Sequence, residues 1–226
     1  MLSALRSTLP VAGAFLPLGL AFGVLVTHSG LDWWWATAFA TVIYAGSLEF
    51  LLLGMVLALT PLASVAVTAF LVNFRHVFYA LSFPLNRVPS LPAKAYSTFA
   101  LSDEAFAVGV SPAARRWGQR EIITMQVFLH LAWAGSVTAG ALLGTLVPPW
   151  VVGLEFAMTA LFLILGVEAF RVRRDVPTAL VAVGCVLFAR VVAPGQFLVV
   201  ALGLFVAVLI IRYGWRHRSG REVADA

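Results

Sequence analysis

The sequence predicts an all-α fold, a polytopic transmembrane helical bundle of about seven helices forming a single integral membrane domain over 1–226. Three observations carry that expectation. Of 226 residues 62% are apolar and 11% charged, with a mean hydropathy of +0.97, against about 45–50% and about 25% in a soluble domain. Apolar runs of the length a span needs, about 20 residues at 1.5 Å each, recur along the chain. The 15 Lys and Arg fall mostly in short gaps between those runs, so the pI of about 10.1 reads as a positive-inside pattern and not as a nucleic-acid surface. A soluble enzyme, a disulfide scaffold (Cys185 is the one cysteine) and a disordered module are excluded by the same arithmetic.

Helices are expected at roughly 8–28, 33–59, 62–82, 122–146, 151–170, 177–193 and 196–212. The first has the polarity of a signal peptide, Arg6 followed by Leu9 to Val26. Thr27-His28-Ser29-Gly30 offers no small-x-small cleavage site, however, so it is read as a helix. Between Asp32 and Arg75 the only charge is Glu49 and the only conspicuous break is Thr60-Pro61; that stretch is too long for one span and is divided there. Trp33, Trp34, Trp35, Trp117, Trp150 and Trp215 sit near expected helix ends, where indoles favour the headgroup layer, and Trp133 alone falls mid-span.

Residues 1–82 make a first half, 83–121 a cytoplasmic connection, 122–212 a second half and 213–226 a cytoplasmic tail. With seven spans, Arg87, Lys94, Arg115, Arg116, Arg120, Arg171, Arg173, Arg174 and the four arginines from Arg212 to Arg221 share one side. That places the C-terminus in the cytoplasm and the N-terminus outside, against the hint of Arg6. The piece 93–110 in the connection, interrupted by Ser102-Asp103-Glu104, reads as a short or re-entrant element docked in protein. Three helices on either side of it are compatible with two inverted three-helix repeats plus a C-terminal helix. The one sequence echo, Gly46-Ser47-Leu48-Glu49-Phe50 against Gly153-Leu154-Glu155-Phe156, is weak.

Polar residues at membrane depth are the functional candidates, since an arginine at the centre of a lipid-facing helix costs about 2.5–3.5 kcal/mol on insertion scales. Arg75 lies about six residues before the end of the third expected helix; Asn73 and His76 share one face of it, and Arg75 lies above Tyr79. The plainer alternative is a snorkelling arginine beside a satisfied histidine. Glu49, mid-helix and far from any basic residue, suits proton coupling, because an isolated carboxylate in low dielectric binds a proton instead of staying charged. A packing role fits it equally. Gly46-Ser47 allows close approach of a ligand, or local unwinding. Asp103 and Glu104 are the nearest acids able to neutralise Arg75. His130 and Trp133, three apart, are read as a packed pair or else a cavity lining, and Arg190 and Glu168, the latter a turn from Arg171, as snorkelling or locally paired. Gly19 with Gly23 and Gly140 with Gly144 are small-xxx-small packing spacings. No zincin, nucleophile-elbow, Walker or paired-cysteine motif occurs, so no enzyme activity, cofactor or metal is expected.

Pro17-Leu18-Gly19-Leu20-Ala21-Phe22-Gly23, Tyr44-Ala45-Gly46-Ser47-Leu48-Glu49-Phe50, Asn73-Phe74-Arg75-His76-Val77-Phe78-Tyr79 and Leu101-Ser102-Asp103-Glu104-Ala105-Phe106, continued through Leu154 to Phe162, form an ordered set. It resembles the AzlC family, the large subunit of branched-chain amino acid exporters. The resemblance implies a secondary exporter of valine, leucine, isoleucine and sometimes methionine in a prokaryotic inner membrane, working with a small AzlD-type membrane subunit, in an oligomeric state it does not specify. Taken with that substrate class, the residues singled out above give Gly46, Ser47, Glu49, Asn73, Arg75, His76 and Tyr79 as candidate substrate contacts, with Glu49, Asp103 and Glu104 as coupling or ion-pair groups. One position departs: where the family pattern is expected to read Ala-Gly-Ala-Ser-Gln-Phe, this chain carries Glu49 in place of the amide. A passive channel for small solutes and a non-transporting subunit of a complex are the alternatives; a channel gives flux linear in concentration without counterflow.

Overall fold

The computed structural model describes residues 1–146 and 176–224, together with Pro148, Leu163 and Val167. The expected helix at 151–170, Trp150, the 153–156 echo, Glu168 and Arg171 to Arg174 lie outside the described residues. Among the described residues there are ten α-helices and no strands. They are α1 (Leu2–His28), α2 (Trp33–Ala38), α3 (Gly46–Leu57), α4 (Leu62–Asn73), α5 (Arg75–Ser82), α6 (Leu91–Phe99), α7 (Asp103–Gly109), α8 (Gln119–Gly144), α9 (Val176–Val192) and α10 (Phe197–Ala224). Among the described residues α1 and α8 are singly long and apolar enough to cross a membrane; α4 and α5, bent by 41° at a break, add a third if the pair is one span. The chain divides into two compact units, Met1–Leu59 with Asn73–Ala160, and Thr60–Val72 with Leu161–Ala226.

The first unit is organised by α1 against α8. These two helices approach closely because glycines face each other's backbone. A Cβ on Gly23 would meet Val137 O and the backbone of Gly140 and Ala141, one on Gly140 would meet the backbone of Leu20, and one on Gly144 would fall 3.0 Å from Val24 Cα. Apolar residues shared by the two faces, Phe22, Val26, Met125, Leu129 and Val137, are fully buried. The pairings run Phe15 with Ser136, Leu20 with Gly140 and Thr27 with Gly144, so the helices are parallel. Met1 accordingly lies beside Glu121. The N-terminus therefore sits at the same end as the basic connection 83–121, not at the opposite end. Halves beginning at 1 and 122 do not start in opposite directions, as inverted three-helix repeats require.

The expected second helix is the reason for that change. It is not continuous: α2 passes into a π-helical turn, Phe39–Ile43, which ends on Tyr44 in the left-handed conformation at φ 48°. A side chain is disfavoured there, and the chain reverses. Thr37 bonds Thr138 at 2.8 Å, Thr41 O lies 3.2 Å from His130 Nε2, and Tyr44 packs on His130, so α2 descends along α8. The return is equally clear: Gly46 and Glu49 meet Trp133, and Phe50 packs on Phe22 near the far end of α1.

A second hairpin comes from the other end. Ser90 N–H donates to Gln119, Gln126 donates to Ser97 O and Ala100 O, and Tyr96 reaches His130, so α6 climbs beside α8. Beyond Ser102, α7 goes back, with Tyr79 on Phe106 and Phe83 against Gly109 tying it to α5. The expected short docked element at 93–110 is thus a pair of helices. In the second unit α9 and α10 form an antiparallel pair across the short turn Pro194–Gln196, with Arg212 donating to Thr178 at 2.7 Å. Arg190 lies 5.5 Å from the Phe197 ring centre, a local cation–π contact.

Candidate functional site

The tips of the two hairpins meet at Arg75. Helix breaks place every group: α3 opens with Gly46 and Ser47, α5 opens with Arg75 after the break at Phe74, and α7 opens with Asp103 behind an N-cap at Ser102. Ser102 accepts from Ala105 N–H at 3.2 Å, and acidic residues in a first helical turn are favoured by the helix dipole, which accounts for Asp103-Glu104 at this start. Arg75 grips Asp103 with two parallel bonds, Nε to Oδ1 at 2.8 Å and Nη2 to Oδ2 at 2.7 Å, the geometry in which a guanidinium binds a carboxylate most specifically. Nη2 also donates to Ser47 Oγ at 3.3 Å. His76 Nε2 lies 3.7 Å from Asp103 Oδ1, so both Arg75 and His76 reach the same carboxylate although they point in different directions from the helix.

This cluster is charged yet open, with the Arg75 and Asp103 side chains about 40% and 44% exposed. Apolar surface stands beside it: Tyr79 stacks on Phe106 at 4.4 Å with the rings 13° apart, and packs edge-on against His76. Phe74 and Phe78 pack on each other at 5.7 Å. Asn73 ends α4 with its Oδ1 buried and lacking a hydrogen-bond partner. Chemically, the arrangement offers a cation, an anion, a hydroxyl and an aromatic wall within one small region.

Glu49 is placed elsewhere. It lies in the first turn of α3, not mid-helix, and is fully buried. Residues two apart on a helix face opposite ways, so while Ser47 turns to Arg75, Glu49 turns to α8. Its Oε1 accepts from Ala45 N–H at 2.9 Å, and Trp133 Nε1 donates to both carboxylate oxygens at 3.1 Å. Glu49 thus caps the helix it belongs to and fastens the hairpin tip to α8. A Cβ on Gly46 would stand 3.3 Å from the Trp133 ring, so only a small residue lets the indole close over the tip.

His130 joins the two hairpins. The Thr41 carbonyl can only accept, so Nε2 carries a proton; Nδ1 faces the Tyr96 hydroxyl at 3.2 Å, and Tyr44 and Phe99 flank the ring. Tyr96 and Phe99 were not singled out in the sequence, and Tyr44 and Phe106 entered only within the motifs of the family resemblance. Aromatics in an apolar run carry no signal separating a site wall from ordinary core. Among the described residues no three His, Cys, Asp or Glu side chains converge as metal ligands.

Helices apolar and long enough to cross a bilayer, in an all-α chain of this hydropathy, define an integral membrane protein. The AzlC protein family matches over residues 10–147, and the chain belongs to that family. It is 28% identical over 216 residues to the branched-chain amino acid transport protein AzlC of Bacillus subtilis, covering 92% of this chain and 84% of that one. It is also 30% identical over 212 residues to an uncharacterized membrane protein of Helicobacter pylori, covering 90% and 91%. The inner membrane protein YgaZ of Escherichia coli is 27% identical over 188 residues, covering 79% and 77%. No solved structure matches.

Proposed function

We propose that the protein is a secondary transporter that exports branched-chain amino acids, valine, leucine, isoleucine and also methionine, across a prokaryotic inner membrane by alternating access. The observation that carries this reading is the two-bond Arg75–Asp103 pair, open and walled by aromatic rings. A zwitterion entering apolar protein must have both charged ends paired, because an ion left alone there costs several kcal/mol. Arg75 takes the α-carboxylate, helped by Ser47, and Asp103 takes the α-ammonium. Inserting the substrate exchanges one ion pair for two, so the empty site is never left uncompensated. Tyr79 and Phe106 receive the aliphatic side chain. His76 and Glu104 adjust the charge around Asp103, and Gly46 and Asn73 border the space.

Protons are the coupling ion in this reading. Among the described residues Glu49 meets N–H donors and no group of opposite charge, and it is the group whose protonation would loosen the hairpin tip. A small AzlD-type subunit completes the exporter. The test is efflux from cells preloaded with a leucine-containing dipeptide, for the chain alone and with the partner. Arg75→Ala at wild-type expression is expected to lose export; normal export by that variant overturns the assignment. Saturable flux and counterflow distinguish this carrier from a channel, which shows neither.

A further inference from the structure

We infer that α2–α3 and α6–α7 are re-entrant hairpins that enter the bilayer from opposite faces, and that the substrate site is the gap between their tips. The second half of that statement rests on the transporter reading; the first does not. Length argues first. The arms of the first hairpin are six α-helical plus five π-helical residues going in and twelve coming out, and those of the second are nine and seven. At 1.5 Å per residue each arm reaches about 11–18 Å, roughly one-third to three-fifths of a hydrocarbon core of about 30 Å. None can cross alone.

Direction argues second. The first hairpin starts at the far end of α1, where Trp33 follows His28, and its returning arm heads back that way, from Gly46 and Glu49 on Trp133 to Phe50 on Phe22 with seven residues of α3 still to run. Both ends of the second lie at the start of α8, where Ser90 meets Gln119 and Arg87 donates to Ala114 O. Protection argues third. Backbone that is neither helix nor sheet survives at membrane depth only where protein or water meets it. At the first tip Tyr44 is 6% exposed and the Ala45 N–H is taken by Glu49; at the second Ala100 is fully buried and accepts from Gln126. Each hairpin is also anchored to the same residue of α8, through Thr41 O and the Tyr96 hydroxyl on His130.

The tips touch through functional groups. Ser47 belongs to one and Asp103 to the other, and Arg75 bonds both. A solute between them is approached from one face along α3 and from the other along α7, which is the geometry alternating access needs: movement of either hairpin opens the site to one side.

The experiment uses the full chain in its native membrane with Cys185→Ala. Single cysteines at Gly30, Leu59, Ser90 and Ser111 are probed with a membrane-impermeant maleimide in intact cells and in inverted vesicles, and a protease site inserted at the same four positions gives a second readout. Gly30 and Leu59 are expected to react from one face, Ser90 and Ser111 from the other. A continuous span between Trp33 and Leu57 instead puts Gly30 and Leu59 on opposite faces, and that result overturns the hairpins whatever the protein transports. Labelling of Ser47→Cys is then expected to slow by the factor 1 + [L]/Kd, about elevenfold at leucine ten times its Kd. With the hairpins established, unchanged labelling overturns the placement of the site between the tips, and export measured in parallel reports separately on the transporter reading.

Discussion

At the scale of single residues, the Arg75–Asp103 pair and the Glu49 cap make different demands. The pair is exposed and joins short elements, so its removal touches transport more than stability. Arg75→Ala and Asp103→Asn are each expected to lower leucine efflux by about tenfold or more, equivalent to about 1.4 kcal/mol, with little change in the amount of protein recovered from membranes. Glu49 is buried, so its replacements separate two roles. Glu49→Leu strands the N–H groups of Trp133 and Ala45 at about 1–3 kcal/mol for each buried orphan, and a clear fall in the melting temperature in detergent is expected. Glu49→Gln keeps an acceptor for both donors and is expected to hold the fold while losing gradient-driven export; full export by that variant excludes the carboxyl as the proton carrier. Arg75 and Glu49 were legible in the sequence because a charge inside an apolar run is rare and costly. Their partners were legible only in part. Asp103 was offered together with Glu104, with nothing in the sequence to choose between them, and nothing in the spacing of Trp133 says that its indole N–H meets a carboxylate rather than lipid.

At the scale of elements, the α1–α8 contact tests itself through its glycines. Gly140 faces the Leu20 backbone, whereas Gly135 on the same helix has open space around it. Gly140→Ala is expected to force the helices apart and lower the melting temperature by an overpacking cost of about 1–3 kcal/mol. Gly135→Ala is expected to raise it slightly, since alanine is favoured over glycine in a helix by about 1 kcal/mol; equal effects at the two sites contradict the packing described. That these glycines let helices pack closely was readable from their four-residue spacing; that α1 and α8 are each other's partner was not. The reversal at Tyr44 was not. From Trp33 to Leu57 the residues form one apolar run, and a tyrosine has no left-handed preference to announce a turn, so composition reads as a single helix what contacts with Thr138, His130 and Trp133 divide in two. Gly46-Ser47 carried the one hint of unwinding, a residue or two beyond the actual break. By contrast, the docked element at 93–110 was legible, because Asp103-Glu104 interrupt its apolar pattern where a span cannot tolerate them.

At the scale of the whole molecule, orientation follows from which segments cross. Counting seven spans put the N-terminus opposite the basic connection, and one hairpin counted as a span is enough to reverse that result. Arg6 had pointed the other way, and the contact of Met1 with Glu121 agrees with Arg6. A reporter fused before Met1 is therefore expected to behave as cytoplasmic, like one inserted at Ser111. Separate from orientation stands the central claim, that the cation Arg75, bonded to both hairpin tips, and the anion Asp103 on one of them recognise both ends of a free amino acid. Counterflow of labelled leucine into proteoliposomes containing the chain and its small partner, challenged with leucine, N-acetyl-leucine and leucinamide, tests it most directly. Leucine is expected to compete while both blocked compounds fail, because each leaves Asp103 or Arg75 without its charge partner. Competition by either blocked compound at the potency of leucine contradicts the account.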